Sequence, residues 1–145
     1  MRNQIFEKKI SDSHVLAICL GLVYLWFGLL KFFPGKSPAE QLAQETIALL
    51  TFGLIPASIS ITLLAIWEVL VAALLLIYRW KKLALSIAIT HIILTFTPLF
   101  ILSQKSFVLA PLQPTLLGQY IIKNILFIGV LLVLYRRMQN IKKED

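Results

Sequence analysis

Residues 55–78 read IPASISITLLAIWEVLVAALLLIY, and the one ionisable side chain among them is Glu68. A helix needs about 20 apolar residues to cross about 30 Å of hydrocarbon. This stretch is long enough to span a bilayer and too apolar to face water. Working outward, three further stretches share its character: Val15 to Phe33, Leu83 to Leu102 and Leu116 to Tyr135. The sequence therefore predicts an all-α, polytopic membrane protein, a single domain over residues 1–145 with four transmembrane helices in an up-down bundle. Composition agrees. Hydrophobic types make up 59% of the 145 residues and charged types 14%, against roughly 45–50% and 25% in soluble domains. The mean hydropathy is +0.84. The first apolar run exceeds the roughly 7–15 residues of a signal peptide and lacks a small-x-small cleavage site after it, so it is expected to be a retained helix.

Charge gives the orientation. The net charge is +7, but the 14 Lys and Arg sit in clusters between apolar runs, which does not make the continuous basic patch that nucleic acid requires. Arg2, Lys8 and Lys9 precede the first span, Arg79, Lys81 and Lys82 join the second to the third, and Arg136, Arg137, Lys142 and Lys143 follow the fourth. Lys36 and Lys105 alone lie in the other connections. Since cytoplasmic loops hold the excess of Lys and Arg, both termini are expected in the cytoplasm, with the chain multi-pass in the cell (inner) membrane. Tyr78 and Trp80, with Phe32 and Phe33 at the opposite face, read as aromatic belts.

The outer connections carry structure of their own. Ser37, Pro38 and Glu40 have the spacing of a capping box with proline at the first helical position. An amphipathic helix is expected from about residue 38 to 52, with Glu40, Gln41, Gln44 and Glu45 on one face and Leu42, Ala43, Thr46, Ile47, Leu49 and Leu50 on the other. It reads as a passive interfacial helix or as a lid over an outward pocket. The second outer connection, Ser103 to Gly118, holds Pro111 and Pro114 and is expected to be extended.

Ionisable groups inside spans cost at least about 2.5–3.5 kcal/mol at mid-depth, so they face the bundle and find partners. Lys31, Glu68, His91 and the pair Lys123 and Asn124 qualify. Ala17, Gly21, Tyr24, Gly28 and Lys31 form one helical stripe of mostly small residues that permits close contact. Glu68 shares a stripe with Ser58, Ala65 and Ala72, and His91 with Ala84, Ala88, Thr95 and Pro98. At 1.5 Å per residue, Glu68 lies roughly 15 Å and His91 roughly 12 Å from the same inner face, so a Glu68–His91 contact is expected. Such a pair either handles protons or merely fixes helix register. Lys31 at its helix end reads most simply as snorkelling to the headgroups. Lys123, about a turn inside the fourth span with Gln119, Tyr120 and Asn124 around it, is the strongest single ligand-binding candidate.

Absent patterns narrow the chemistry. The single Cys19 excludes an intrachain disulfide, a CxxC pair and a cysteine metal cluster, and it reads as inert packing. His14 and His91 are too far apart in height for bis-histidine haem. There is no flavin or iron–sulfur motif, phosphate loop, Ser-His-Asp order or HExxH. Trp26 and Trp67 could stack on a flat ligand, though packing is the commoner role.

Three stretches carry a family resemblance: Gly21 to Glu40 (GLVYLWFGLLKFFPGKSPAE), Leu64 to Val69 (LAIWEV) and Gly118 to Asn124 (GQYIIKN). Together they resemble the DoxX family of small bacterial membrane proteins, over about Gly21 to Leu134. The resemblance implies a four-helix membrane bundle, and for some relatives a role as subunits of thiosulfate:quinone oxidoreductase or partners in membrane redox and oxidant-defence complexes. The matching positions are Lys31, Glu68, Gln119, Lys123 and Asn124; His91 enters on depth alone. The expected function is a redox-associated membrane subunit that holds a quinone or similar headgroup between the helices at the outer side. Lys31 and Lys123 would polarise its oxygens, Glu68 and His91 would handle protons, and a partner protein would supply electrons. The competing expectation is a non-enzymatic assembly protein, in which the same residues set packing and docking to a partner or a second copy. A small transporter fits less well, because four helices lack the usual internal repeat.

Overall fold

The computed structural model describes the backbone of residues 2–77 and 80–144 and the side chains of residues 13–77, 80 and 82–139. Tyr78 and Arg79 lie outside the described residues, as do the side chains of Arg2, Lys8, Lys9, Lys81, Lys142 and Lys143. Helix makes up 76% of the molecule, which places it in the all-α class. Among the described residues, four segments are long and apolar enough to cross a membrane: Ser13–Leu30, Ala57–Ile77, Lys82–Ile101 and Leu116–Gln139.

The elements follow in order as α1 (Arg2–Leu30), α2 (Glu40–Leu50), α3 (Ala57–Ile77), α4 (Lys81–Leu94), α5 (Pro98–Ile101), α6 (Ser103–Ser106), β1 (Phe107–Leu109), β2 (Gln113–Pro114), α7 (Leu116–Ile122) and α8 (Asn124–Glu144). Contacts run in a ring, α1 with α3, α3 with α4, α4 with α8 and α8 with α1. The buried core lies in the half of the bundle nearer the α3–α4 connection, around Leu20, Val71, Leu75, Leu85, Leu131 and Leu134. Glu68 and His91 lie near mid-length of their spans, beyond that apolar core.

Small residues set the closest crossing. Ala17, Gly21, Tyr24 and Gly28 are all buried, and α1 packs most intimately on α3. A Cβ at Gly21 would meet Leu76 Cγ at 2.8 Å, and one at Gly28 would meet Glu68 Cβ at 3.0 Å and the Val69 amide nitrogen at 3.1 Å. Hydrogen at these positions lets the backbones approach, as small residues do in membrane helix pairs.

Two spans expected to be continuous are broken. Pro98 has no N–H to offer the Leu94 carbonyl and its ring crowds that oxygen, so α4 stops at Leu94. Thr97 takes over, with its N–H (3.1 Å) and its hydroxyl (2.7 Å) both donating to Leu94 O. In the last span, Lys123 forms a single-residue break before α8, with Leu126 N donating to Lys123 O at 3.0 Å. The first helix ends at Leu30, because the amides of Lys31, Phe32 and Phe33 turn back to the carbonyls three residues earlier.

The outer connections depart from expectation in detail. The helix expected from 38 to 52 runs from Glu40 to Leu50, and no side chain caps its start. Gly35 adopts the left-handed conformation (φ +73°), and its N–H, not that of Ser37, reaches the Glu40 carboxylate at 2.8 Å. Leu42 and Thr46 are buried against the bundle, since α2 packs on α3 and α5. The connection expected to be extended holds α6 and a short antiparallel hairpin, β1 with β2.

Candidate functional site

Close approach of α1 and α3 at Gly28 puts the end of α1 beside Glu68. The Lys31 ammonium, one residue past the helix, lies 2.6 Å from Glu68 Oε2 and 3.4 Å from the Phe27 carbonyl. Both side chains of this ion pair are 9% exposed. Lys31 therefore turns into the bundle and does not snorkel outward: a carboxylate at hydrogen-bond distance in a low-dielectric interior outweighs what the headgroups offer.

The other carboxylate oxygen faces α4. His91 Nε2 lies 3.6 Å from Glu68 Oε1, within reach of an ion pair but longer than a hydrogen bond. The depth count that placed Glu68 and His91 level agrees with this approach. Behind the imidazole stands Tyr24 of α1, whose hydroxyl lies 3.2 Å from His91 Nδ1 and 3.4 Å from the Ala88 carbonyl. The two rings pack at 5.5 Å between centroids, tilted by 52°. Tyr24, Glu68 and His91 are all buried.

This array admits two proton arrangements. With the Tyr24 hydroxyl donating to Nδ1, the neutral imidazole carries its proton on Nε2 and points it at Glu68, whose second oxygen accepts from Lys31. With the hydroxyl donating to Ala88, Nδ1–H donates to the tyrosine oxygen and Nε2 faces the carboxylate bare or protonated. The two arrangements differ in which imidazole nitrogens carry a proton and in the acceptor of the Tyr24 hydroxyl. Tyr24 was not singled out from sequence as a site residue. Its place on the stripe between Gly21 and Gly28 was the available signal.

The remaining candidates lie apart from that array. Lys123 is exposed and sits 3.8 Å above the Tyr120 ring centroid, a cation–π contact between residues three apart. Gln119 is exposed beside them. Asn124 donates to the Thr95 hydroxyl at 3.0 Å, tying the break in the fourth span to the break in the third. Thr95 in turn donates to the Ile92 carbonyl at 2.6 Å. In the fold Glu68 serves Lys31 and an aromatic face serves Lys123.

Next to the Asn124–Thr95 link lies an open groove of about 490 Å³, lined by Ile93, Phe96, Thr97, Phe100, Ile125 and Ile128. Its walls are apolar apart from Thr97, whose hydroxyl is already engaged. Trp26 and Trp67 point outward, 68% and 39% exposed, and Cys19 is also exposed.

The segments that join α1 to α3 and α5 to α7 are held to each other. Lys105 of α6 contacts both carboxylate oxygens of Glu45 on α2 at 2.5 Å, which holds the Glu45 carboxyl below its usual range. Thr115 donates from its hydroxyl to Lys105 O at 2.7 Å and from its N–H to Ser106 O at 2.9 Å. The same hydroxyl accepts from Gly118 N and caps α7. Ser106 donates to Pro98 O at 3.1 Å.

Among the described residues no three His, Cys, Asp or Glu side chains converge as metal ligands, and every buried polar side-chain atom has a partner. Comparison with protein-family models, with curated proteins and with solved structures finds no match.

Proposed function

We propose that this chain is a multi-pass protein of the cell membrane, of the DoxX kind, that serves as the membrane subunit of a redox-associated system and holds a quinone-like headgroup between helices at its outer side. Both termini lie in the cytoplasm and the four spans run up and down. The observation that carries the reading is the groove of about 490 Å³ between α4–α5 and α8. Phe96 and Phe100 suit a flat ring, the aliphatic wall suits an isoprenoid tail, and the groove lies where two broken helices meet. Broken helices often line ligand sites in membrane proteins, since irregular backbone at membrane depth is tolerated where it is buried in protein or lines a cavity. Lys123 and Asn124 immediately precede Ile125, the first α8 residue of the wall, and in this reading they supply a cation and an amide for the carbonyl oxygens.

A quinone-type group, when bound, accepts electrons and protons; no residue here supplies electrons, so a partner protein must. The chain's own part is to orient the headgroup with Asn124 and Lys123 and to move protons through Tyr24, His91, Glu68 and Lys31. The second reading is an assembly protein without a ligand. It is favoured by the closure of that polar array, in which each buried side chain already has a partner.

Mass spectrometry of the organic extract from protein purified in mild detergent separates the two, with mock membranes and Lys123→Ala as comparisons. Stoichiometric enrichment of a quinone, reduced by about tenfold or more in the variant, is the expected result; tenfold corresponds to about 1.4 kcal/mol of lost contact. Bulk phospholipid alone in both samples overturns the ligand reading in favour of assembly.

A further inference from the structure

Two segments of the outer connections are apolar, exposed and uncharged. Between Glu45 and Glu68, and again between Lys105 and Lys123, the sequence has no charged residue. Phe52 and Leu54, just before α3, are 92% and 82% exposed; Leu112, at the turn between β1 and β2, is 84% exposed, with Val108, Leu109 and Leu116 beside it in the chain also bare. In water such clusters on a small protein would be costly. Phe52 is odd in a second respect, because its φ of +53° is a left-handed conformation that bulky residues avoid. Its ring gains no packing within the chain in return.

We propose that these two segments are feet of the protein set into the headgroup–acyl boundary of the outer leaflet, and that their partner is the lipid surface. The argument rests on the four apolar spans and not on the quinone reading. Phe52 and Leu54 stand within five residues of the start of α3, and Leu112 within four of the start of α7, so chain continuity fixes both at the membrane boundary. The apolar surface is also continuous with the spans: Ile59 and Leu63 follow on α3, and Phe100 and Ile101 precede the hairpin. Backbone chemistry suits that depth. The hairpin pairs its strands, and Pro111 and Pro114 have no N–H to strip of water. Open peptide groups would not survive deeper in hydrocarbon, which keeps the feet at the interface. Lys36, Glu40, Glu45 and Lys105 supply the charge of the outer connections from other positions.

Single cysteines at Phe52→Cys, Leu112→Cys and Lys36→Cys, each in a Cys19→Ala background, carry a nitroxide in the full-length protein reconstituted into phosphatidylcholine–phosphatidylglycerol vesicles. All three positions are exposed, so the label displaces no packed side chain. The oxygen-to-nickel-complex accessibility ratio at positions 52 and 112 is expected to exceed that at 36 by about threefold or more, as interfacial burial requires. Equal ratios place the feet in water and overturn the proposal. Spectral broadening at 52 or 112 that disappears on dilution with unlabelled protein assigns the surface to a second copy, and overturns it as well.

Discussion

Removing either partner of the Lys31–Glu68 pair has unequal consequences, and the inequality follows from where each group sits. Breaking a buried ion pair by deleting one member costs about 3–5 kcal/mol, because the other charge is left uncompensated. Lys31 lies past the end of α1 with Phe27 O at 3.4 Å. In Glu68→Gln its long stem can swing toward the headgroups, so this variant belongs at about 3 kcal/mol or below. Glu68 has no such exit. Its Cβ is packed under Gly28, and in Lys31→Met its remaining polar neighbour is the His91 imidazole at 3.6 Å, which puts that variant at about 3–5 kcal/mol. The double variant removes both charges and is expected to cost at least about 2 kcal/mol less than the sum of the singles. Neutral interhelical hydrogen bonds in membranes average about 0.6 kcal/mol of coupling, so a value of that size would mean no effective ion pair. The assay is reversible unfolding in mixed micelles followed by circular dichroism. In thermal melts about 3 kcal/mol corresponds to about 6–12 °C for a chain of this size. Additivity within about 0.5 kcal/mol, or Glu68→Gln proving the costlier single variant, would refute the reasoning.

Other outcomes test the outer structure. Gly118→Ala places a methyl group onto the Ser106 carbonyl oxygen, a backbone atom that cannot rotate away, so proteolysis between Lys105 and Leu116 should become markedly faster than in the parent. The Glu45–Lys105 pair faces solvent, so Lys105→Met should lower the melting temperature only slightly. Because the Glu45 carboxyl is held below its ordinary value of 4.5, its contribution is complete above that pH and fades as pH falls through the lowered value. The gap in melting temperature between wild type and Lys105→Met should therefore close only under strongly acid conditions; a gap that closes at neutral pH contradicts the assignment. Asn124→Leu leaves the Thr95 hydroxyl its Ile92 acceptor but unties α8 from α4, and about 1 kcal/mol of stability should be lost. An unchanged melting temperature would mean that this link is dispensable.

The four long apolar helices were legible because a chain this apolar satisfies its backbone polar groups most simply in helices, and their apolar runs are visible in the sequence. The meeting of Glu68 and His91 was legible for a related reason, since helical rise converts residue number into depth. Which way Lys31 turns was not, because the acid that draws it inward belongs to another helix and is brought close by Gly28. The capping box failed on a local detail: the left-handed backbone at Gly35 brings a different N–H to Glu40. Pro98 was in view and marked a break in the third span, but it was used only as a member of the His91 stripe. Nothing in the pattern around Lys123 announced the second break.

The two breaks have an energetic consequence of their own. Around Thr95–Thr97 and Lys123 the i→i−4 ladder gives way to shorter-range bonds, and the Asn124–Thr95 contact bridges the two interruptions. Helical cooperativity depends on an unbroken ladder. The segments beyond the two breaks are therefore expected to open at a lower free energy than the apolar core. Amide hydrogens in α5, α6 and α7 should exchange with solvent deuterium at a lower free energy of opening than those of Val71–Leu75 or Leu131–Leu134, making the region above the breaks the part of this protein that moves first.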